Sequence, residues 1–176
     1  MTKDELLRQW TDETPKITRA ELASLELRNG YPFPEQYIAV VTVFGTPYFE
    51  DGKVHVVDWR KHDGAPLSAE EQADIDPING VSTFNDAAAI AAMTDLVHTY
   101  ASRGRPMIPA GMFPFSTDSA GNWLLFKGDD PQRGSVWIWS WTDDNWGEGD
   151  NIWIGFVADD FEDFLFNRLR PPRRGE

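Results

Sequence analysis

No cysteine occurs among the 176 residues of the chain. That absence excludes a disulfide framework, a thiolate zinc site and a cysteine nucleophile. Positive charge is scarce as well: 16 Lys and Arg stand against 29 Asp and Glu, for a net charge of −13. Such a chain repels a polyanion and has no counterions to release, so nucleic acid and anionic membrane are disfavoured partners. Long apolar runs are also missing. Nothing approaches the ~18 consecutive apolar residues of a membrane span, and the opening MTKDELLRQW has no apolar signal core. A soluble, cytoplasmic protein is expected. Catalytic motifs are absent too: His55, His62 and His98 fall in a strand, a loop and a helix pattern, and no HExxH, GxSxG or phosphate-binding glycine loop occurs. The expectation is therefore no catalytic residue, no metal, no cofactor and no enzyme.

What the chain does have is acid, unevenly placed. Residues Arg168 to Glu176 carry four Arg and one Glu, a net +3, so the preceding body holds −16, the whole chain's −13 less that +3. A basic macromolecule is the electrostatic complement of such a body, although acidity also serves plain solubility. The length suits one domain with a core large enough to need no covalent staples.

Residues 3–12 place Leu6, Leu7 and Trp10 on one face of a short lead-in helix. Thr18 and Glu21 form a capping box for a helix that carries Leu22 and Leu25 inward and stops at Gly30. Pro34 opens a helix over 34–44, with Tyr37, Val40, Val41 and Phe44 at helical spacing, although the β-branched run Val40-Val41-Thr42-Val43 favours a strand. A strand is expected over Lys53–Arg60 after a Glu50-Asp51-Gly52 turn. Residues 61–81 read as loop, with a possible helical turn from Ser68 to Ala73. A helix over 84–102 follows, with Ile90, Met93, Val97 and Tyr100 repeating at helical spacing. Strands are then predicted at 112–116, 122–127, 135–142 and 151–157, joined by tight turns as an antiparallel meander. Asp159 is the expected N-cap of a closing helix over 160–169, before Pro171 and Pro172. The sum is one α+β domain over residues 1–170, a mostly antiparallel sheet of about five strands with helices on one face and a C-terminal helix, followed by a mobile basic tail at 171–176.

Chemistry concentrates between Phe113 and Phe166, which holds six of the eight tryptophans. Between Gly134 and Asn167 there are eight acids, Asp143, Asp144, Glu148, Asp150, Asp159, Asp160, Glu162 and Asp163, with no Lys or Arg. The later ones precede or begin the closing helix and complement its dipole. The loop group has no such local duty. Its spacing fails the EF-hand pattern, so a solvated loop or one that meets a basic partner is the better reading. Period-2 alternation puts Trp137, Trp139 and Trp141 on one face of their strand and Val136 and Ile138 on the other. If the Val-Ile face meets the helices, the tryptophans line an open platform suited to a protein interface or a sugar; if the Trp face is core, the platform vanishes.

Tyr31-Pro32-Phe33-Pro34-Glu35-Gln36-Tyr37 resembles the LPxxY helix entry of the SUKH superfamily, the Smi/Knr-type proteins. Phe113-Pro114-Phe115-Ser116-Thr117-Asp118-Ser119-Ala120-Gly121-Asn122-Trp123 is similar to that family's central IPFAxDxxGN strand and turn. Val136 to Trp139 and Val157 to Leu165 resemble its next strand and closing helix, so the likeness runs over about residues 17–169. The resemblance implies a binding scaffold without catalytic residues. Fungal members regulate cell-wall synthesis, and bacterial members commonly neutralise a toxin, often a nuclease, by binding it. The expected function is a toxin-immunity protein whose partner, a basic toxin domain, meets Asp118, Asp143, Asp144, Trp146, Glu148 and Asp150. An intracellular regulatory scaffold is the alternative, and a glycan-binding protein or hydrolase a third.

Overall fold

A computed structural model describes residues 15–46, 48–54, 58–60, 68–69, 81–104, 106–118, 121–139 and 154–170. The expected lead-in helix at 3–12, nearly all of the 61–80 region, the acidic loop and the basic tail lie outside these residues.

Helix α1 spans Arg19–Asn29, and its start is the anticipated capping box: the Glu21 N–H donates to Thr18 Oγ1 (3.2 Å) while the Thr18 N–H donates to Glu21 Oε2 (2.8 Å). Gly30 ends it in the left-handed region, φ 78°, its N–H donating to the Glu26 carbonyl. Helix α2 spans Glu35–Val43 directly after Pro34, burying Tyr37, Ile38 and Val41. Its β-branched residues thus lie in a helix, because burial at helical spacing outweighs a strand propensity of tenths of a kcal/mol.

The expected Lys53–Arg60 strand is corrected. Two strands form instead, β1 (Tyr48–Val54) and β2 (Asp58–Arg60), and they belong to different sheets. The anticipated Glu50-Asp51-Gly52 turn lies inside β1. There Tyr48 pairs with Thr83 and Gly52 with Val81, so four steps along β1 oppose two along β3 (Val81–Thr83), and the turn-like residues are taken up as a bulge. Helix α3 runs Ala87–Ser102 with Asp86 as N-cap, its carboxylate accepting from the Ala89 N–H (2.8 Å). It begins later than expected because Asp86, with extended backbone, is the capping residue.

The meander is as predicted: β4 (Met112–Thr117), β5 (Trp123–Lys127), β6 (Val136–Trp139) and β7 (Ile154–Ala158) pair antiparallel in succession, with β2 completing the order β2-β7-β6-β5-β4. Asp160, rather than Asp159, caps the closing segment, its carboxylate accepting from the Asp163 N–H (2.8 Å). That segment is not one helix. A short turn, α4 (Phe161–Asp163), widens into a π-helical turn over Phe164–Arg168, and the chain then pairs with β1 as β8 (Leu169–Arg170). Phe161, Phe164, Leu165 and Leu169 are all buried, so the wider turn keeps the apolar face inward while delivering the backbone to a strand partner.

Two cores result. In the first, Tyr37 is ringed by Phe33, Phe115, Phe126 and Phe161 at centroid distances of 5.1 to 5.5 Å, with Leu22, Leu25, Val136 and Ile138 in the same cluster. The second holds Trp123, Leu125, Trp137, Trp139 and Ile154 with Met93, Met107 and Ile108. Helix α3 packs beside edge strand β4 and supplies Ile90 to one cluster and Met93 to the other. The tryptophan alternatives thus resolve in a third way: the Val-Ile face meets the helices, yet Trp137 and Trp139 are covered as well, at 6% and 1% exposure. Trp141 lies outside the described residues.

Candidate partner-binding surface

The described residues on either side of the acidic stretch are Trp139 and Ile154. Trp139 closes β6, Ile154 opens β7, and the two residues are direct cross-strand partners. Trp139 also pairs with Trp123, the first residue of β5, and Trp123 pairs with Thr117, the last of β4. The Asp118–Asn122 turn therefore sits at the same end of the sheet, on the hairpin next to the strand from which the acidic loop departs. At the opposite end of β7, roughly 13 Å away at ~3.3 Å per residue, Asp159 and Asp160 follow Ala158.

The carboxylates that follow β7 have local duties. Asp160 caps α4, and Asp163 accepts from Arg168 Nε (3.2 Å) and Asn167 Nδ2 (2.7 Å), so these carboxylates serve the closing segment, as expected. Arg28 faces Asp95 (3.2 Å), Lys127 faces Asp129 (2.7 Å) and Arg133 faces Asp130 (3.6 Å). These cations are matched locally. Lys127 also holds the Asp129 carboxyl below its ordinary range by donating to it.

Of the six residues expected to meet a partner, Asp118 alone falls among the described residues; Asp143, Asp144, Trp146, Glu148 and Asp150 lie outside them. Asp118 is 5% exposed, and both carboxylate oxygens serve the turn, Oδ1 accepting from the Asn122 N–H and Oδ2 from Asn122 Nδ2, each at 2.8 Å. The Asp118 N–H in turn donates to the Asn122 carbonyl (2.9 Å). This is a closed bracket that fixes the orientation of Asn122. Among the described residues no three His, Asp or Glu side chains gather as a metal site, and no helix is long and apolar enough to cross a membrane.

Sequence reading placed Asn122 in a turn and Trp139 among the candidate platform tryptophans, and named neither as a partner-binding residue. Both carry a buried polar atom, Asn122 Oδ1 and Trp139 Nε1, with no hydrogen-bond partner among the described residues. The turn composition signals Asn122 as structural, and only the strand register shows that Trp139 stands opposite Trp123.

The architecture is that of an α+β scaffold with a helix-backed antiparallel meander and its loops at the sheet ends. A sequence model of the SMI1 / KNR4 family (SUKH-1) matches residues 16–167, and the chain belongs to that family. No curated protein matches it in sequence.

Proposed function

We propose that the chain is a non-catalytic protein-binding module, an immunity protein that neutralises a toxin with a basic domain, such as a nuclease. The carrying observation is the stretch from Gly134 to Asn167, with eight acids and no Lys or Arg, half of which serve or flank the closing segment while the other half lie between the paired residues Trp139 and Ile154. The residues that bound this stretch, Trp139 and Ile154, are cross-strand partners, so it joins two adjacent strands of the sheet. A surface built to hold nucleic acid is basic, and such a loop complements it. Trp146, set among those acids, supplies an aromatic anchor. Nucleic acid and anionic membrane do not fit this surface.

Co-purification with the product of the adjacent gene is the test. A complex is expected, and Trp146→Ala or the pair Asp143→Lys/Asp144→Lys should weaken it by about tenfold or more. No partner, or binding indifferent to these changes, would overturn the reading. Several partners with no toxin among them would favour a regulatory scaffold instead.

A further inference from the structure

We infer that the outer face of α2 is a self-association surface, on which two copies of the chain pair their α2 helices antiparallel about a two-fold axis. Burial divides the helix into two sides. Tyr37, Ile38 and Val41 face the core, whereas Glu35, Gln36, Ala39 and Val43 are exposed, Val43 at 57%. Gln36, Ala39 and Val43 stand at i, i+3 and i+7, so they form one stripe, with the half-buried Val40 along its side. A surface helix ordinarily turns charged groups to the solvent. α1 does so with Arg19, Glu21 and Arg28, and α3 with Asp95. α2 presents none after Glu35: no charged residue occurs among the 14 from Gln36 to Phe49, in a chain of which 26% is charged.

The occupant follows from charge. Two molecules of net charge −13 repel each other over most of their surfaces, and an uncharged apolar face is where they approach at least cost. A basic toxin domain, by contrast, finds no acid along the stripe beyond Glu35. The ends of the stripe set the register. Glu35 begins α2, and Lys16 lies beside its last turn, because the Ile17 N–H donates to the Val41 carbonyl (3.2 Å) and the Thr46 N–H to the Pro15 carbonyl (2.9 Å). Both Glu35 and Lys16 are exposed, and neither joins an ion pair among the described residues. A two-fold contact sets the same patch against itself. With the helices antiparallel and crossing at Ala39, Glu35 of each copy comes to the end that holds the other copy's Lys16. The small Ala39 side chains then lie at the crossing, where packed helix axes stand ~8–10 Å apart.

One face of a nine-residue helix is a smaller contact than the ~800 Å² per partner of a standard interface, so the pair is a weak one. Sedimentation equilibrium of the full chain should show monomer at about 10 µM and dimer at about 1 mM. Ala39→Glu, which sets like charges together at the crossing, should weaken the dimer at least tenfold. Glu35→Lys or Lys16→Glu alone should weaken it about threefold, and the double swap, at the parental net charge, should restore it. Far-UV circular dichroism checks that each variant is folded. A chain still monomeric at about 1 mM would overturn the inference, as would a dimer indifferent to Ala39→Glu or one that the double swap leaves weakened. If Ala39→Glu instead abolishes binding of the adjacent gene product and leaves self-association unchanged, the face belongs to that partner and the inference falls.

Discussion

Tyr37 is enclosed on all sides by aromatic rings, and its hydroxyl has no hydrogen-bond partner among the described residues. Burial alone pushes its ionisation well above the ordinary range, because the phenolate would have to form where no water reaches it. The folded value is raised above the unfolded one, so the stability linked to this group is fully present below pH ~10 and falls as pH rises beyond it. Replacing Tyr37 with Phe removes an unpaired buried hydroxyl and keeps the ring. The expected result is a gain of about 1 kcal/mol at pH 8, with the gap to the parent chain widening above pH ~10. Urea titrations at both pH values measure it, and a loss of stability in Tyr37→Phe would mean that the hydroxyl is bonded. The tyrosine itself was legible as a core residue from its spacing; its unpaired hydroxyl was not, since the sequence says nothing about what surrounds a buried atom.

Elements were read best where one local signal decides them. The capping box of α1, Pro34 at the entry to α2 and the alternation of β6 each act within a few residues, and all three stand as expected. Errors fall where a distant partner decides. Glu50-Asp51-Gly52 has turn chemistry, but β3 and β8 on either side of β1 draw the segment into a bulged strand. The closing helix fails for the same reason, since pairing between Leu169 and Val54 ends it as a strand. One junction between elements is testable directly. A Cβ at Gly128 would collide with the ring and Cβ of Tyr31, which stacks on Phe113 at 6.0 Å, so the Tyr31–Pro34 entry to α2 and the start of the β5–β6 turn are packed backbone against ring. Gly128→Ala should cost about 1–3 kcal/mol, seen as a lower urea midpoint with an unchanged slope; a neutral result would show that Tyr31 swings away freely.

At the scale of the molecule, the net charge of −13 is the property a partner meets first. Long-range attraction acts on encounter more than on the formed complex. Stopped-flow association with the adjacent gene product should therefore slow about tenfold or more between 20 and 300 mM salt, with a smaller change in dissociation. An association rate independent of salt would remove steering from the proposal. The sequence by itself determined the charge, the α+β class, the meander and the apolar faces of α1 to α3, because composition and short periodicities fix them without reference to distant residues. Only the tertiary structure decided that both faces of β6 are covered, that the Asp118 turn and the anchors of the acidic loop share one end of the sheet, and that Asp118 is spent on holding Asn122. These depend on strand register and on a second core packed from Met93, Met107 and Ile108, and no local pattern specifies which surface such distant residues will cover.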